Sequence, residues 1–194
     1  MYSQRDEEQH ILLACQGSER RKLLDVGAWD PKVFSNSRAL IEQGWAATLI
    51  EPSPAPLRAL VAAYADRADI DVISGAVAVE PYLMQLMVTD DAVTTVAGSP
   101  QAKTWATAGN YIGRMWTPAL GLVQVIESFG PFDFVNIDAE GISVDLLKAL
   151  LATEMFPRCI CCEHDGRVIE AMQSARARNY HSVYESEENL VLSL

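Results

Sequence analysis

The 194-residue chain carries 26 acidic against 15 basic residues, a formal net charge of −11, and is 49% hydrophobic. That length suits one domain with a sizeable core rather than two, and the charge disfavours nucleic acid or anionic lipid as a partner. No apolar run is long enough to cross a bilayer, and the polar start Met1–Glu7 has no signal-peptide pattern; a cytoplasmic protein without membrane or nucleic acid partners is expected.

Taken in order, Ser3 is expected to cap a helix from Asp6 to Cys15, with Glu7 and Glu8 in its first turn. Leu23, Leu24 and Val26 form a strand-like run that ends in Asp25, Gly27 and Pro31, and Ser35–Gln43 reads as the next helix. A strand, a glycine turn and a helix start make a ligand seat: free N–H groups face an anion, and glycine allows close approach. The strand Ala46–Ile50 ends in Glu51-Pro52, where an acid can accept hydrogen bonds from the ribose hydroxyls of a nucleoside cofactor. Pro54 and Pro56 open a helix carrying Leu57, Leu60, Val61 and Tyr64 at helical spacing. Asp71–Ser74 and Leu83–Val88 read as strands. Residues 92–114 have weak periodicity and read as a lid or substrate loop, with Trp105, Tyr111 and the nearby Trp116 available to line an apolar acceptor pocket.

Thr117-Pro118 reads as a helix start, and that helix ends near Gly130. Phe132–Ile137 is the next strand, followed by Asp138-Ala139-Glu140-Gly141. Ser143–Leu151 is a helix with Ser143 as cap, Cys159–Cys162 a strand ending in Glu163-His164-Asp165, and Val168–Arg178 a helix. Tyr180–Tyr184 and Asn189–Leu194 read as an antiparallel hairpin whose free edge could pair with a second copy, making a homodimer. Alternating strands and helices predict an α/β fold with a mostly parallel, doubly wound sheet. Asp25, Glu51, Asp138, Glu140, Glu163 and His164 follow strand ends and so face one crevice. The four cysteines, Cys15, Cys159, Cys161 and Cys162, lack the spacing of a zinc site and read as buried reduced thiols, in keeping with a reducing compartment.

Several blocks resemble the FkbM-type methyltransferases: Tyr2-Ser3-Gln4 with Glu7-Glu8, Asp25-Val26-Gly27-Ala28-Trp29-Asp30-Pro31 with Ser35-Asn36, Gly44-Trp45 and Ile50-Glu51-Pro52. Phe132-Asp133-Phe134, Ile137 to Gly141, Cys162 to Asp165 and Asn189-Leu190-Val191 extend the resemblance over almost the whole chain, in family order. It implies a class I Rossmann-like fold, S-adenosylmethionine as cofactor, and methylation of a hydroxyl on a sugar or other small molecule. By the same resemblance Asp25, Gly27 and the turn Ala28-Trp29-Asp30, with Ser35 and Asn36, hold the methionine part. Glu51 takes the ribose, Pro52-Ser53 and Gly75-Ala76-Val77 border the adenine, and Asp138 closes the site near the sulfonium. Gln4 reaches the cofactor or packs the N-terminus.

Two positions depart from the family pattern: Trp29 stands where asparagine is usual, and Ile142-Ser143 follow Glu140-Gly141 where a second acid is common. A hydroxyl acceptor needs a base, and His164, Glu140, Asp138 and Glu163 are the candidates, with His164 or Glu140 favoured. Asp138 and Glu163 could hold a divalent metal, but no third ligand is identifiable, so a metal is not expected. A nicotinamide-dependent oxidoreductase would need more glycines than Gly27 alone in the first turn. A non-catalytic module of the same fold is the other alternative.

Overall fold

The computed structural model describes residues 1–89, 94–98, 102 and 111–194. The first half of the chain forms α1 (Glu7–Ala14), β1 (Lys22–Val26), α2 (Arg38–Glu42), β2 (Ala46–Glu51), α3 (Pro54–Ala63) and β3 (Ile70–Ser74). Then come β4 (Ala76–Ala78), β5 (Tyr82–Thr89), β6 (Thr95–Val96) and β7 (Tyr111–Gly121). The rest is α4 (Leu122–Phe129), β8 (Phe134–Ile137), α5 (Ser143–Ala152), β9 (Cys159–Glu163), α6 (Val168–Arg176), β10 (His181–Glu185) and β11 (Asn189–Ser193).

Strands buried on both faces read as continuous apolar runs, and β1, β8 and β9 do so. Leu23, Leu24, Phe134, Val135, Cys159 and Ile160 are all completely buried. They lie inside a seven-stranded sheet of order β10-β11-β9-β8-β1-β2-β3, parallel except for β11, which runs antiparallel to both of its neighbours. Each face carries its own core. Leu24, Val135 and Ile160 pack with α4, α5 and α6, and Leu23, Phe134 and Cys161 with α1, α2 and α3. The expected α/β architecture with its C-terminal hairpin is therefore present. All four cysteines are buried and free of disulfides, and burial pushes the Cys159, Cys161 and Cys162 thiols up.

A second sheet, of order β4-β7-β5-β6, was not foreseen. Thr117-Pro118 belongs to β7, not to a helix start: Trp116 is 61% exposed, Thr117 5% and Ala119 4%, an alternation with the period of a strand. Pro118 is tolerated because β4 pairs β7 only from Ala119 onward, which leaves one side of the strand open at Pro118. The helix begins at Leu122 instead, with Gly121 before it. Within 92–114, Thr95–Val96 and Tyr111–Arg114 are strand residues. Trp105 and the remainder of the expected loop, apart from Thr94, Ala97, Gly98 and Ala102, lie outside the described residues. Tyr111 and Trp116 are exposed and are not among the residues lining the cavity at the strand ends.

Smaller corrections concern caps. Ser3 makes no cap; α1 starts after Asp6 without a side-chain cap. The helix expected over Ser35–Gln43 is only five residues long, Arg38–Glu42. Ser143 is the first residue of α5 rather than its cap, and its hydroxyl accepts the Ala139 N–H at 2.9 Å and donates towards Glu163.

Asp133, one of the residues of the family-like blocks, is structural. One oxygen accepts the N–H groups of Arg20 and Arg21, both at 2.9 Å, and the other the Arg20 guanidinium, anchoring the entry to β1 from the entry to β8. Asp133→Ala leaves those donors unanswered and is expected to cost about 2 kcal/mol; an unchanged urea midpoint would show that the anchor does not matter.

Candidate functional site

From β1 the chain winds outward through β2 to β3, then returns to lay β8 and β9 on the other side of β1. In such sheets the crevice opens beyond the strand ends where the winding reverses, here between β1 and β8. A cavity of about 710 Å³ lies there, within the range that suits small-molecule ligands. Its floor is the tips of β1, β2, β8 and β9; its roof is the small sheet, through Met84, Leu86 and Val96.

Gly27 sets the geometry. Its φ is +80°, and a Cβ added there would stand 1.8 Å from the Asp138 carbonyl oxygen. The glycine is needed so that β1 and β8 can close on each other, a tighter demand than access for a ligand. The β1 and β2 tips are joined as well: the Gly27 and Ala28 N–H groups both donate to the Ile50 carbonyl, at 3.0 and 3.2 Å.

Glu51, 4% exposed at the end of β2, accepts the Trp29 N–H at 2.9 Å and the Ser53 N–H at 2.6 Å. Burial pushes its carboxyl up, and the Ser53 and Trp29 hydrogen bonds oppose the shift. Trp29, where the family pattern has asparagine, is held at φ +40° and stacks on Phe34 with ring centroids 6.0 Å apart. Its contribution to the site is its backbone N–H on Glu51. Asp25 accepts the Ser37 hydroxyl and, at 2.8 Å, the Asn136 amide, which in turn accepts the Asn36 amide at 3.2 Å. Burial raises the Asp25 carboxyl, and the Ser37 and Asn136 bonds oppose it.

The β8 and β9 ends supply carboxylates. Asp138 is half-buried, and burial followed by the charges of Glu140, Asp25, Asp165 and Glu188 pushes it up to about 8. Glu163 is also raised well above the usual carboxylate range, by burial first and then by Asp138, Glu140 and Asp165. Glu140, Glu163 and Asp165 each place an oxygen within 4.8 Å of the others, a set of hard donors able to take a divalent cation. The pair expected from the sequence was Asp138 with Glu163; the structure instead groups Glu163 with Glu140 and Asp165.

Gln4, Asp25, Gly27, Ala28, Trp29, Ser35, Asn36, Glu51, Pro52, Ser53, Gly75, Ala76, Val77, Asp138, Glu140 and Glu163 all line the one cavity. His164 and Asp30 do not. His164 is 6% exposed, with Nδ1 accepting the Gly166 N–H and Nε2 facing the Ser186 carbonyl, so both ring nitrogens are engaged in holding loops. Asp30 turns back to accept the Lys32 and Val33 N–H groups, closing its own turn. The anion seat expected at the helix start is absent as well: α2 is too short, and the Arg38 N–H is answered by the Ser35 hydroxyl. Lining residues that the sequence reading missed include Asn136, Met84, Leu86, Asp165 and Glu188. Asn136, a polar residue inside the apolar run Phe134–Ile137, was the one visible signal.

No family model matches the chain, and no curated protein sequence does. Among solved structures the chain is similar in fold to methyltransferase FkbM from Methylobacillus flagellatus (13% identity, TM-score 0.51, 92% of this chain and 46% of that one). It is similar to monomeric WbdD (13%, 0.52, 98% and 42%). A precorrin-6y C5,15-methyltransferase from Geobacter metallireducens also matches (10%, 0.51, 96% and 86%). The chain thus spans less than half the length of the first two, and identities this low establish a shared Rossmann-like fold.

Proposed function

We propose that the chain is an S-adenosylmethionine-dependent methyltransferase of the FkbM type that O-methylates a hydroxyl of a sugar or other small molecule in the cytoplasm. The observation that carries this reading is the cavity at the β1/β8 reversal, with buried Glu51 on one side and half-buried Asp138 on the other. The residues present fit the cofactor. Glu51 keeps acceptor capacity for the two ribose hydroxyls beyond its two backbone bonds. Pro52, Ser53, Ala76 and Val77 form a wall for the base. A single glycine in the first turn, followed by Trp29 and Pro31, makes no seat for a pyrophosphate.

When bound, the cofactor would supply a sulfonium-bound methyl group open to in-line attack by a hydroxyl oxygen, the sulfur leaving as a neutral thioether. The chain's own residues then have three tasks. Glu51 and the joined β1–β2 tips fix the donor. Met84, Leu86, Val96 and Ile142 exclude water from the reacting end. Asp138, with its carboxyl near pH 8, receives the acceptor's proton at one of its oxygens; a base pKa close to the working pH suits that transfer. Asp138 takes this role over His164 because it faces the cavity, as Glu140, the other favoured candidate, also does.

Calorimetry is expected to show S-adenosylhomocysteine binding and no NAD binding, with Glu51→Ala weakening the former by roughly 5- to 150-fold, about 1–3 kcal/mol. No heat with S-adenosylhomocysteine would end the cofactor reading. Binding without turnover of S-adenosylmethionine across a panel of sugars and small alcohols would leave a binding module.

A further inference from the structure

Every charged side chain lining the cavity, among the described residues, is an acid. The cofactor reading sets Glu51 and the β1 turn against the adenosyl donor, which leaves the other end, at β9 and β11, to the methyl acceptor. That end is built of carboxylates. Glu163 ends β9, Asp165 stands in the turn after it, Glu140 in the turn after β8, and Glu188 just before β11. Glu187 lies there too. Arg5 reaches it at 3.5 Å, but both side chains are more than half exposed, and such a pair is weak. The hydrogen-bond donors nearby are spent within the protein: the Gly141 N–H on Asp165 Oδ1 and the Gly166 N–H on His164 Nδ1, both at 3.2 Å. Hydrogen-bond acceptors are left over. One carboxylate oxygen of Glu188 is buried with no partner among the described residues. Asn189, 5% exposed, stands across from Glu163 in the cavity wall. It gives its NH₂ to Glu7, so its Oδ1 turns away from that carboxylate and adds its negative end to the wall, again without a partner among the described residues. Asp165 and Glu188 are both close enough for their charges to act on Asp138.

Resting on the cofactor reading above, we infer that the methyl acceptor is a cation, an amino sugar or amino alcohol whose ammonium group is held at the β9–β11 end by Asp165 and Glu188 while its hydroxyl meets Asp138. The sign of the wall selects the charge. Carboxylates crowded in a cleft repel one another, and a buried hydrogen-bond acceptor without a donor carries a standing cost. An ammonium answers both at once, since it brings positive charge and three N–H donors. A bare divalent ion answers less: the carboxylates close enough to share one are Glu140, Glu163 and Asp165, and Glu188 stands outside that set. A neutral sugar leaves the charge of the wall unmatched, and a phosphorylated or carboxylated one is repelled by it.

The test is calorimetry at about pH 7, where the amines are protonated, on pairs that differ by an amine in place of a hydroxyl. Glucosamine is set against glucose and ethanolamine against ethylene glycol, with and without S-adenosylhomocysteine. Wild type is expected to bind the amine at least about tenfold more tightly in one pair or both, and the preference to shrink as sodium chloride is raised. Asp165→Asn keeps the Oδ1 that takes the Gly141 N–H and tolerates the positive φ of its turn. It and Glu188→Gln should each lower the preference, and the double variant should erase it. Circular dichroism and an unchanged affinity for S-adenosylhomocysteine show that these variants are folded. No preference in either pair, or a preference undiminished in the double variant, would overturn the inference. Tight binding of magnesium chloride alone with no amine preference would assign the cluster to a metal ion and overturn it as well. Failure of wild type to bind S-adenosylhomocysteine would instead remove the cofactor reading, and the pairs titrated without it would still report the charge selectivity of the wall.

Discussion

Gly27→Ala is expected to destabilise the protein by about 4 kcal/mol or more and to abolish cofactor binding. Two effects coincide at this residue. The backbone sits at φ +80°, which an alanine adopts at a cost of roughly 1 kcal/mol. The larger effect is steric, because the new methyl would lie 1.8 Å from the Asp138 carbonyl oxygen and 2.9 Å from its carbon. Those are backbone atoms at the end of a central strand. They cannot swing aside as a side chain would, since the Asp138 N–H is bonded to Val26 and the Gly27 N–H to Ile50. Gly44 provides the control: its φ is +83° and nothing stands within 4 Å of the position a Cβ would take. Gly44→Ala should therefore lose only the roughly 1 kcal/mol of the first effect. Equal urea midpoints for the two variants would show that the β1–β8 closure is not as tight as described.

Asp138→Asn is expected to stabilise the protein by about 3 kcal/mol at pH 9 and to leave it unchanged near pH 4. The folded chain holds the Asp138 proton up to about pH 8, against an ordinary value of 3.8. Between those limits the folded state binds more protons than the unfolded one, so the stability contributed by this group falls as pH rises from about 4 to about 8. Below pH 4 both states are protonated and the residue costs nothing. Linkage over that interval sets a ceiling of roughly 5–6 kcal/mol, and water reaching a half-buried carboxyl removes part of it. The asparagine carries no charge to expel. Its melting temperature should hold steady where that of wild type declines, a difference of several degrees by pH 9. Parallel melting curves across pH 4–9 would show that neither burial nor the charges of Glu140, Asp25, Asp165 and Glu188 raise Asp138. If Asp138 is also the base, the variant gains stability while losing turnover, a pairing that a purely structural aspartate would not give.

The parts of the fold legible in the sequence were those fixed by local rules. Leu23–Val26 and Ala46–Ile50 read as strands because buried parallel strands are continuously apolar, and Gly27 and Glu51 were visible because they end those runs. What failed depended on distant partners. Thr117-Pro118 carries a helix-start signal, but pairing with Leu83 and Met84 of β5 outweighs it, and nothing nearby in the chain announces β5 as a partner. The small sheet that roofs the cavity was lost with it. His164 sits at the right strand end yet turns to the loop that holds Ser186, 22 residues on. Asp165, the residue after it, faces the crevice instead. Which of two adjacent polar residues turns inward is decided by the loop's hydrogen bonds, and residue type alone does not encode that. Asn36 was named from its neighbours in the motif, whereas its hydrogen bond to Asn136, 100 residues later, is a distant pairing that no local signal announces.

The segments around Glu7 and Asn189 meet near this crevice. Buried Glu7 accepts the Ser186 hydroxyl at 3.0 Å and the Asn189 amide at 3.5 Å, and Gln4, Glu188 and Asn189 all belong to the cavity wall. During synthesis the central strand β1 emerges early and must wait for β8, and the wall stays open until the segment around Asn189 has left the ribosome. The segment around Glu7 would thus wait for partners that lie 179 and 182 positions later in the chain.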